Sequence, residues 1–285
     1  MQERLGMALT INTNLSSMIV QKNLNSATTG LNSAIEKMTT GYRINHAKDD
    51  AAGYSIATSW ATKISSLDVA SENASMGLDL LKTAEENYSL ITEHLQRVRD
   101  LTEQAANGTY GDDSKAAIKA EITARLLEID RISANAEFNG IPLMNGTGTA
   151  KNLQVGIDNT ANSKITLEAG LFAAADTTKL LGKAAATYAE DCITTSSDQL
   201  EKIDTALNTV STRVTTIGAA QNRVESAISA ISVQSENLTS SLSTIKDADV
   251  AEESSNYIKA QILQQASATL LATANQLPSI ALNLI

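Results

Sequence analysis

Between residues 200 and 245, apolar side chains recur in alternating steps of three and four. The series is Leu200, Ile203, Leu207, Val210, Val214, Ile217, Val224, Ile228, Ile231, Leu238, Leu242 and Ile245, with Gln221 and Ser235 as its breaks. A 3.5-residue repeat held this long without proline requires a helix that runs alongside other helices. At about 1.5 Å per residue the stretch reaches roughly 70 Å, so an elongated molecule is expected. A matching seam occupies Leu67, Ala70, Ala74, Gly77, Leu81, Ala84, Tyr88, Ile91, Leu95, Val98, Thr102 and Ala105. Neither seam can be buried by its own helix. Composition says how closely such helices approach. Only nine of 285 residues are aromatic, whereas Ala, Ser, Thr and Asn number 122. A thick core has no material here, but small residues allow close-packed helices.

The first long helix should stop at Asn107-Gly108, with the glycine suited to a left-handed cap. A shorter helix with Ile118, Ile122, Leu126, Ile129 and Ile132 on one face should follow, capped by Asp112, Asp113 or Ser114. Phe138-Asn139-Gly140-Ile141-Pro142 reads as a turn. Residues 153–157 and 164–168 alternate apolar and polar around a turn-like stretch, which predicts a β-hairpin. Residues 171–197 are rich in Ala and Thr and poorly periodic, a connector with room for one short helix. The fold class read from these patterns is mainly α, an elongated antiparallel helical bundle or coiled coil with a small β-hairpin.

Weaker seams mark the two ends: Leu24, Thr28, Leu31, Ile35 and Met38, then Leu263, Ala266, Leu270, Thr273, Leu277, Ile280 and Leu284. Single stripes of this kind make marginal helices in water. They are expected to pair with each other and with neighbouring copies of the chain.

Other chemistry is narrowly bounded. A net charge of -10 without any Lys/Arg cluster argues against nucleic acid. No stretch approaches the ~20 apolar residues of a membrane span. The first residues carry Arg4 but no apolar core or cleavage site, so no secretory signal is expected. Cys192 stands alone and cannot form an internal disulfide. His46 has Asp49 and Asp50 nearby but no second His or Cys, and His94 is followed by Arg97 and Val98, which are not ligands. HExxH, phosphate-binding and calcium-loop patterns are missing from the sequence. Neither catalysis nor a cofactor is expected, and Asp49-Asp50 reads as turn and cap chemistry.

Several motifs then stand out in order: Ile11-Asn12-Thr13-Asn14, Gly41-Tyr42-Arg43-Ile44-Asn45, Lys48-Asp49-Asp50-Ala51-Ala52-Gly53, Leu95-Gln96-Arg97-Val98-Arg99-Asp100-Leu101, Ala120-Glu121-Ile122, Glu137-Phe138-Asn139-Gly140 and Ala274-Asn275-Gln276-Leu277-Pro278. Along nearly its whole length the chain resembles bacterial flagellin, whose pattern begins about where Met7 stands. The resemblance implies a subunit that polymerises with copies of itself into the flagellar filament. It further implies export, unfolded, through the flagellar secretion channel, with an export chaperone at the C-terminus. On this reading residues 1–44 and 248–285 form the filament-core helices, and the proposed core seam is Leu24, Leu31, Met38, Leu263, Leu270 and Leu277. Residues 45–180 and 197–247 form the rod domain, and 181–196 replace the variable outer domains. The terminal helices order on assembly, so residues 1–44 and 251–285 should be protease-sensitive in the monomer.

The resemblance also assigns Arg97, Leu101 and Glu121 to the surface engaged by the vertebrate Toll-like receptor that senses flagellin, a surface covered by neighbours in the filament. Val98 lies on the seam, so Arg97 and Leu101 are expected on an outer face, with Glu93 available to pair with Arg97. Two other readings stand beside flagellin: a hook-filament junction protein, which shares the terminal motifs, and a secreted immune-modulating or adhesive protein with filament formation secondary. The Asn139-Gly140 region, the hairpin and the match at 274–278 favour flagellin.

Overall fold

The computed structural model describes residues 13–146 and 149–282, with side chains up to residue 276. The first twelve residues, and with them Met1, Met7 and Ile11-Asn12, lie outside the described residues, as do Leu284 and the side chains of Leu277 and Ile280. The helices are α1 (Leu15–Thr40), α2 (Ala51–Ala106), α3 (Asp112–Asn135), α4 (Thr177–Leu180), α5 (Ala185–Thr194), α6 (Ser196–Lys246) and α7 (Val250–Leu282). The strands are β1 (Glu137–Phe138), β2 (Ile141–Pro142), β3 (Lys151–Gln154) and β4 (Lys164–Leu167). Packing groups the described residues into two compact units. One holds those up to Thr62 and from Asn237 onward, the other Lys63–Glu236.

In the unit Lys63–Glu236, all twelve seam positions of α2 from Leu67 to Ala105 are buried. On α6, Ile203, Val210, Ile217 and Val224 are buried, with Leu200, Leu207, Val214 and Ile228 half-buried between them. Polar pairs fix how the two helices run. Glu85 accepts from Gln221 at 2.7 Å, Tyr88 accepts from Arg213 at 3.4 Å, and Asp204 accepts from Arg99 at 2.7 Å. As numbers rise on α2 they fall on α6, so the pair is antiparallel. One break in the apolar seam thereby finds its reason: the Gln221 amide is taken up by the Glu85 carboxylate. Buried Tyr88 donates its hydroxyl to the Leu171 carbonyl at 3.2 Å, and burial raises its pKa against the opposing pull of Arg213.

The apolar stripe of α3 is buried at Ile118, Ile122, Leu126, Ile129 and Ile132. Its start differs from the expected cap. Gly111 is the N-cap and makes no side-chain cap bond, so Asp112 and Asp113 act in the first turn on the helix dipole. Gly108 likewise adopts no left-handed conformation; α2 ends without needing one. A hairpin is present as β3–β4, its first strand starting two residues and ending three residues earlier than expected, with Leu153 opposite Ile165 and Gln154 opposite Lys164. Leu153 also explains a seam position that has no side chain. A Cβ on Gly77 would lie 2.4 Å from a Leu153 methyl, so the β3 leucine fills the space that α2 leaves open. The turn at Asn139-Gly140 is itself a small hairpin, β1–β2, with both residues at positive φ (50 and 74). That is the two-residue turn Asn-Gly favours, because its twist matches that of the strands.

The segment that reads as a connector is packed. Ala185, Tyr188, Ala189 and Cys192 form one buried stripe on α5, and the Tyr188 hydroxyl donates to the Gln199 carbonyl at 3.0 Å. Two turns of helix with Ala and Cys in the stripe are too short and too weakly apolar to register as periodic.

In the other unit, Asn14 caps α1 by accepting from the Ser17 N–H at 3.1 Å, and Gly41 ends it at φ 73. A short bridge then ties Tyr42 to Asp247, with the Lys246 ammonium 4.1 Å above the Tyr42 ring. Asp49 accepts the N–H of His46 at 2.9 Å, which is the main reason its pKa lies below the ordinary carboxylate value. Asp50 accepts the N–H of Gly53 in the first turn of α2.

Burial pushes the Cys192 thiol up to about 11. A thiol-specific reagent should therefore react with native protein at least about a hundredfold more slowly than with denatured protein. Because the folded pKa is the higher one, the unfolded chain alone ionises between about 9.0 and 11. Stability measured by denaturant titration should fall as pH rises through that window, and Cys192→Ala should remove this part of the fall.

Candidate functional site

The sequence places its site residues on the terminal helices and on one rod surface. On the terminal helices, polar bonds set an antiparallel register. Asn14 donates to the Ala274 carbonyl at 2.7 Å, Ser17 to Asn275 at 2.8 Å, Gln264 to Thr28 at 3.1 Å and Lys37 to Glu253 at 3.0 Å. The facing positions on α7 are Glu253, Tyr257, Ala260, Gln264, Ser267, Leu271 and Ala274, again in steps of four and three. Those on α1 are Val20, Leu24, Ala27, Leu31 and Ala34. The fully buried members are small: Ala27, Ala34, Ala260, Ser267 and Ala274, with Glu253 held by Lys37. The backbones come close enough that a Cβ on Gly30 would touch that of Ala260 at 4.0 Å.

This seam is not the one expected from apolar periodicity. Leu24, Thr28 and Leu31 do lie in the α1–α7 interface, half-buried, but Ile35 and Met38 are exposed. On α7 the expected seam points outward: Leu263 is 49% exposed and Leu270 57%, and Ala266 and Thr273 are exposed too. Two 3.5-residue repeats run side by side on α7. Size picks out the leucine repeat, whereas close approach of two backbones selects the alanine and serine repeat. The leucines border a groove whose other wall includes Ser26, Gly30 and Ser33 of α1. Ile258 and Ile262 on α7 and Leu15, Met18 and Ile19 on α1 are exposed as well.

In the unit Lys63–Glu236, Arg97 pairs across helices with Glu121 at 2.9 Å, rather than with Glu93, and the two side chains are 48% and 37% exposed. Arg125 of α3 lies 3.5 Å from His94 of α2. These contacts place α3 antiparallel beside α2, along the stripe His94, Arg97, Leu101. That explains a correction: Leu101 does not lie on an outer face but is 2% exposed. With two neighbouring helices α2 buries two stripes, and Leu101 belongs to the second.

Among the described residues no three His, Cys, Asp or Glu side chains are grouped to hold a metal ion, and no helix is long and apolar enough to cross a membrane. His46 pairs with Glu36 at 2.7 Å instead.

Known proteins match both ends of this architecture. The bacterial flagellin N-terminal helical region matches residues 11–149, and the bacterial flagellin C-terminal helical region matches residues 200–285. The chain is 38% identical to a flagellin of Xenorhabdus nematophila, over 98% of this chain and 100% of that protein. It is 33% identical to a flagellin of Listeria monocytogenes, over 96% of this chain and 99% of that one. Against the B-type flagellin of Pseudomonas aeruginosa it is 45% identical over 53% of this chain, a stretch that spans 31% of that longer protein. Two full-length relatives and both helical regions agree, and the chain belongs to the bacterial flagellin family.

Proposed function

We propose that this chain, a structural subunit of the flagellar filament by family, forms the filament core through the outer face of its α1–α7 pair. One observation carries this reading: small residues supply most of the buried positions between the two helices, while Leu15, Met18, Ile19, Ile258, Ile262, Leu263 and Leu270 are exposed. Burying such side chains stabilises by about 1.5–3 kcal/mol each, and neighbouring copies supply the covering surface. Residues 1–44 and 248–285 are the core segments, and 45–180 with 197–247 form the rod. The subunit is secreted, travelling unfolded through the flagellar export channel with a chaperone on its C-terminal segment, and its helix pair completes its ordering at the filament tip.

The exposed Arg97–Glu121 pair is the accessible part of a surface read by the vertebrate receptor for flagellin. Leu101 acts beneath it by holding α2 against α3.

Leu263→Ser with Leu270→Ser should leave the monomer's helical content unchanged and abolish long filaments, as judged by sedimentation and electron microscopy. Filaments of ordinary length from this variant would remove the outer face from the core. In dilute monomer, limited proteolysis should cut α1 and α7 before the rod helices, and assembly should protect them. On the rod surface, Arg97→Ala with Glu121→Ala should cost less than about 1 kcal/mol of stability yet sharply reduce receptor signalling by monomer. Leu101→Ala should cost about 2–4 kcal/mol in a denaturant titration. Undiminished signalling from the double variant contradicts the receptor assignment.

A further inference from the structure

Three asparagines in this chain precede glycine: Asn107, Asn139 and Asn145. An Asn-Gly peptide can cyclise on itself, since glycine has no side chain to obstruct approach of its nitrogen to the asparagine amide carbon. The three surroundings differ. Asn107 and Gly108 follow the last turn of α2 and are both exposed, with open space where a Gly108 side chain would project. The Asn107 Oδ1 accepts two hydrogen bonds from Thr109, one from its N–H at 3.1 Å and one from its hydroxyl at 3.0 Å. The Gly108 N–H donates to no backbone acceptor among the described residues. Asn139 is instead fixed at φ 50 inside the β1–β2 turn, with strand pairing on both sides. After Asn145, Gly146 lies against Ala174.

We infer that Asn107-Gly108 is a self-modification site, at which the folded turn promotes deamidation of its own asparagine. Solvent base removes the Gly108 amide proton, and the nitrogen attacks Asn107 Cγ while the carbonyl electron pair moves onto Oδ1. The two Thr109 donors already hold Oδ1, the atom on which that negative charge develops, at 3.1 and 3.0 Å before attack. Collapse restores the carbonyl, breaks the Cγ–Nδ2 bond and releases ammonia, its proton supplied by water, leaving a five-membered succinimide. Water then adds to either ring carbonyl and the ring C–N bond breaks, giving aspartate or isoaspartate. Overall one water is consumed and one ammonia released, with no change of oxidation state. The product places a new negative charge at the C-terminal end of α2, where the helix dipole disfavours it. The isoaspartate form also lengthens the main chain of the α2–α3 turn by one carbon.

The test ages full-length protein at mildly alkaline pH and follows each Asn-Gly peptide by mass spectrometry, with isoaspartate scored by enzymatic methylation. In folded protein Asn107 should convert about tenfold faster than Asn139, and the two rates should converge in guanidinium. Thr109→Val removes the hydroxyl donor and keeps the N–H, and should slow Asn107 about threefold. Gly108→Ala fits the open space without needing a left-handed backbone, and should slow conversion more than about tenfold at an unchanged circular dichroism spectrum. Equal rates at Asn107 and Asn139 in folded protein, or an unchanged rate in Thr109→Val, would overturn the assignment.

Discussion

A helix whose apolar residues repeat every 3.5 positions cannot bury them by folding back on itself; it needs a second helix alongside for the whole length of the repeat. Nearly every other feature of this protein follows from meeting that requirement. Within the unit Lys63–Glu236 the α2 and α6 seams are long because each answers the other, antiparallel. Polar groups in and beside them find partners: Gln221 falls opposite Glu85, and Arg213 opposite the Tyr88 hydroxyl and the carbonyls of Ala173 and Ala174. Apolar contact makes the helices stick. These pairings penalise any slip of register, because a slip would strand a buried polar group.

The α2–α6 pair could be read from the sequence because its seams hold a 3.5-residue spacing through many turns with few polar breaks. The terminal pair misleads for the opposite reason. On α7, Leu263 and Leu270 share a heptad spacing with Ala260, Ser267 and Ala274, and apolar size alone favours the leucines. Which repeat faces α1 depends on how closely two backbones can approach, a property of the pair rather than of either sequence. Leu101 misleads for a third reason. A single-stripe reading of α2 assumes one neighbour, whereas the Arg97–Glu121 and His94–Arg125 contacts bring α3 along a second stripe. The α5 stripe, built from Ala185, Tyr188, Ala189 and Cys192, is fully buried yet spans too few turns to stand out from the Ala/Thr-rich background.

Small local choices support the long elements. Gly41 permits the left-handed exit from α1, and Asn139-Gly140 supplies the twist of a two-residue hairpin. Gly77 concedes its place in the α2 seam to Leu153, so the β3–β4 hairpin is keyed into the helix rather than laid over it. Asp49 and Asp50, which could pass for ligands by composition, are occupied by backbone N–H groups of the turn and of the helix start.

The small-residue interface between α1 and α7 also divides the entropy of ordering. Ala27, Ala34, Ala260 and Ala274 have no rotamer freedom to lose, so the closest-packed part of the seam restricts little beyond the backbone. The leucines, isoleucines and methionine on the outer surface keep their side-chain freedom until something covers them, and lose it only then. The pair therefore forms at a lower side-chain cost than a leucine seam would impose, and a further ordering penalty falls on the later burial of that outer surface.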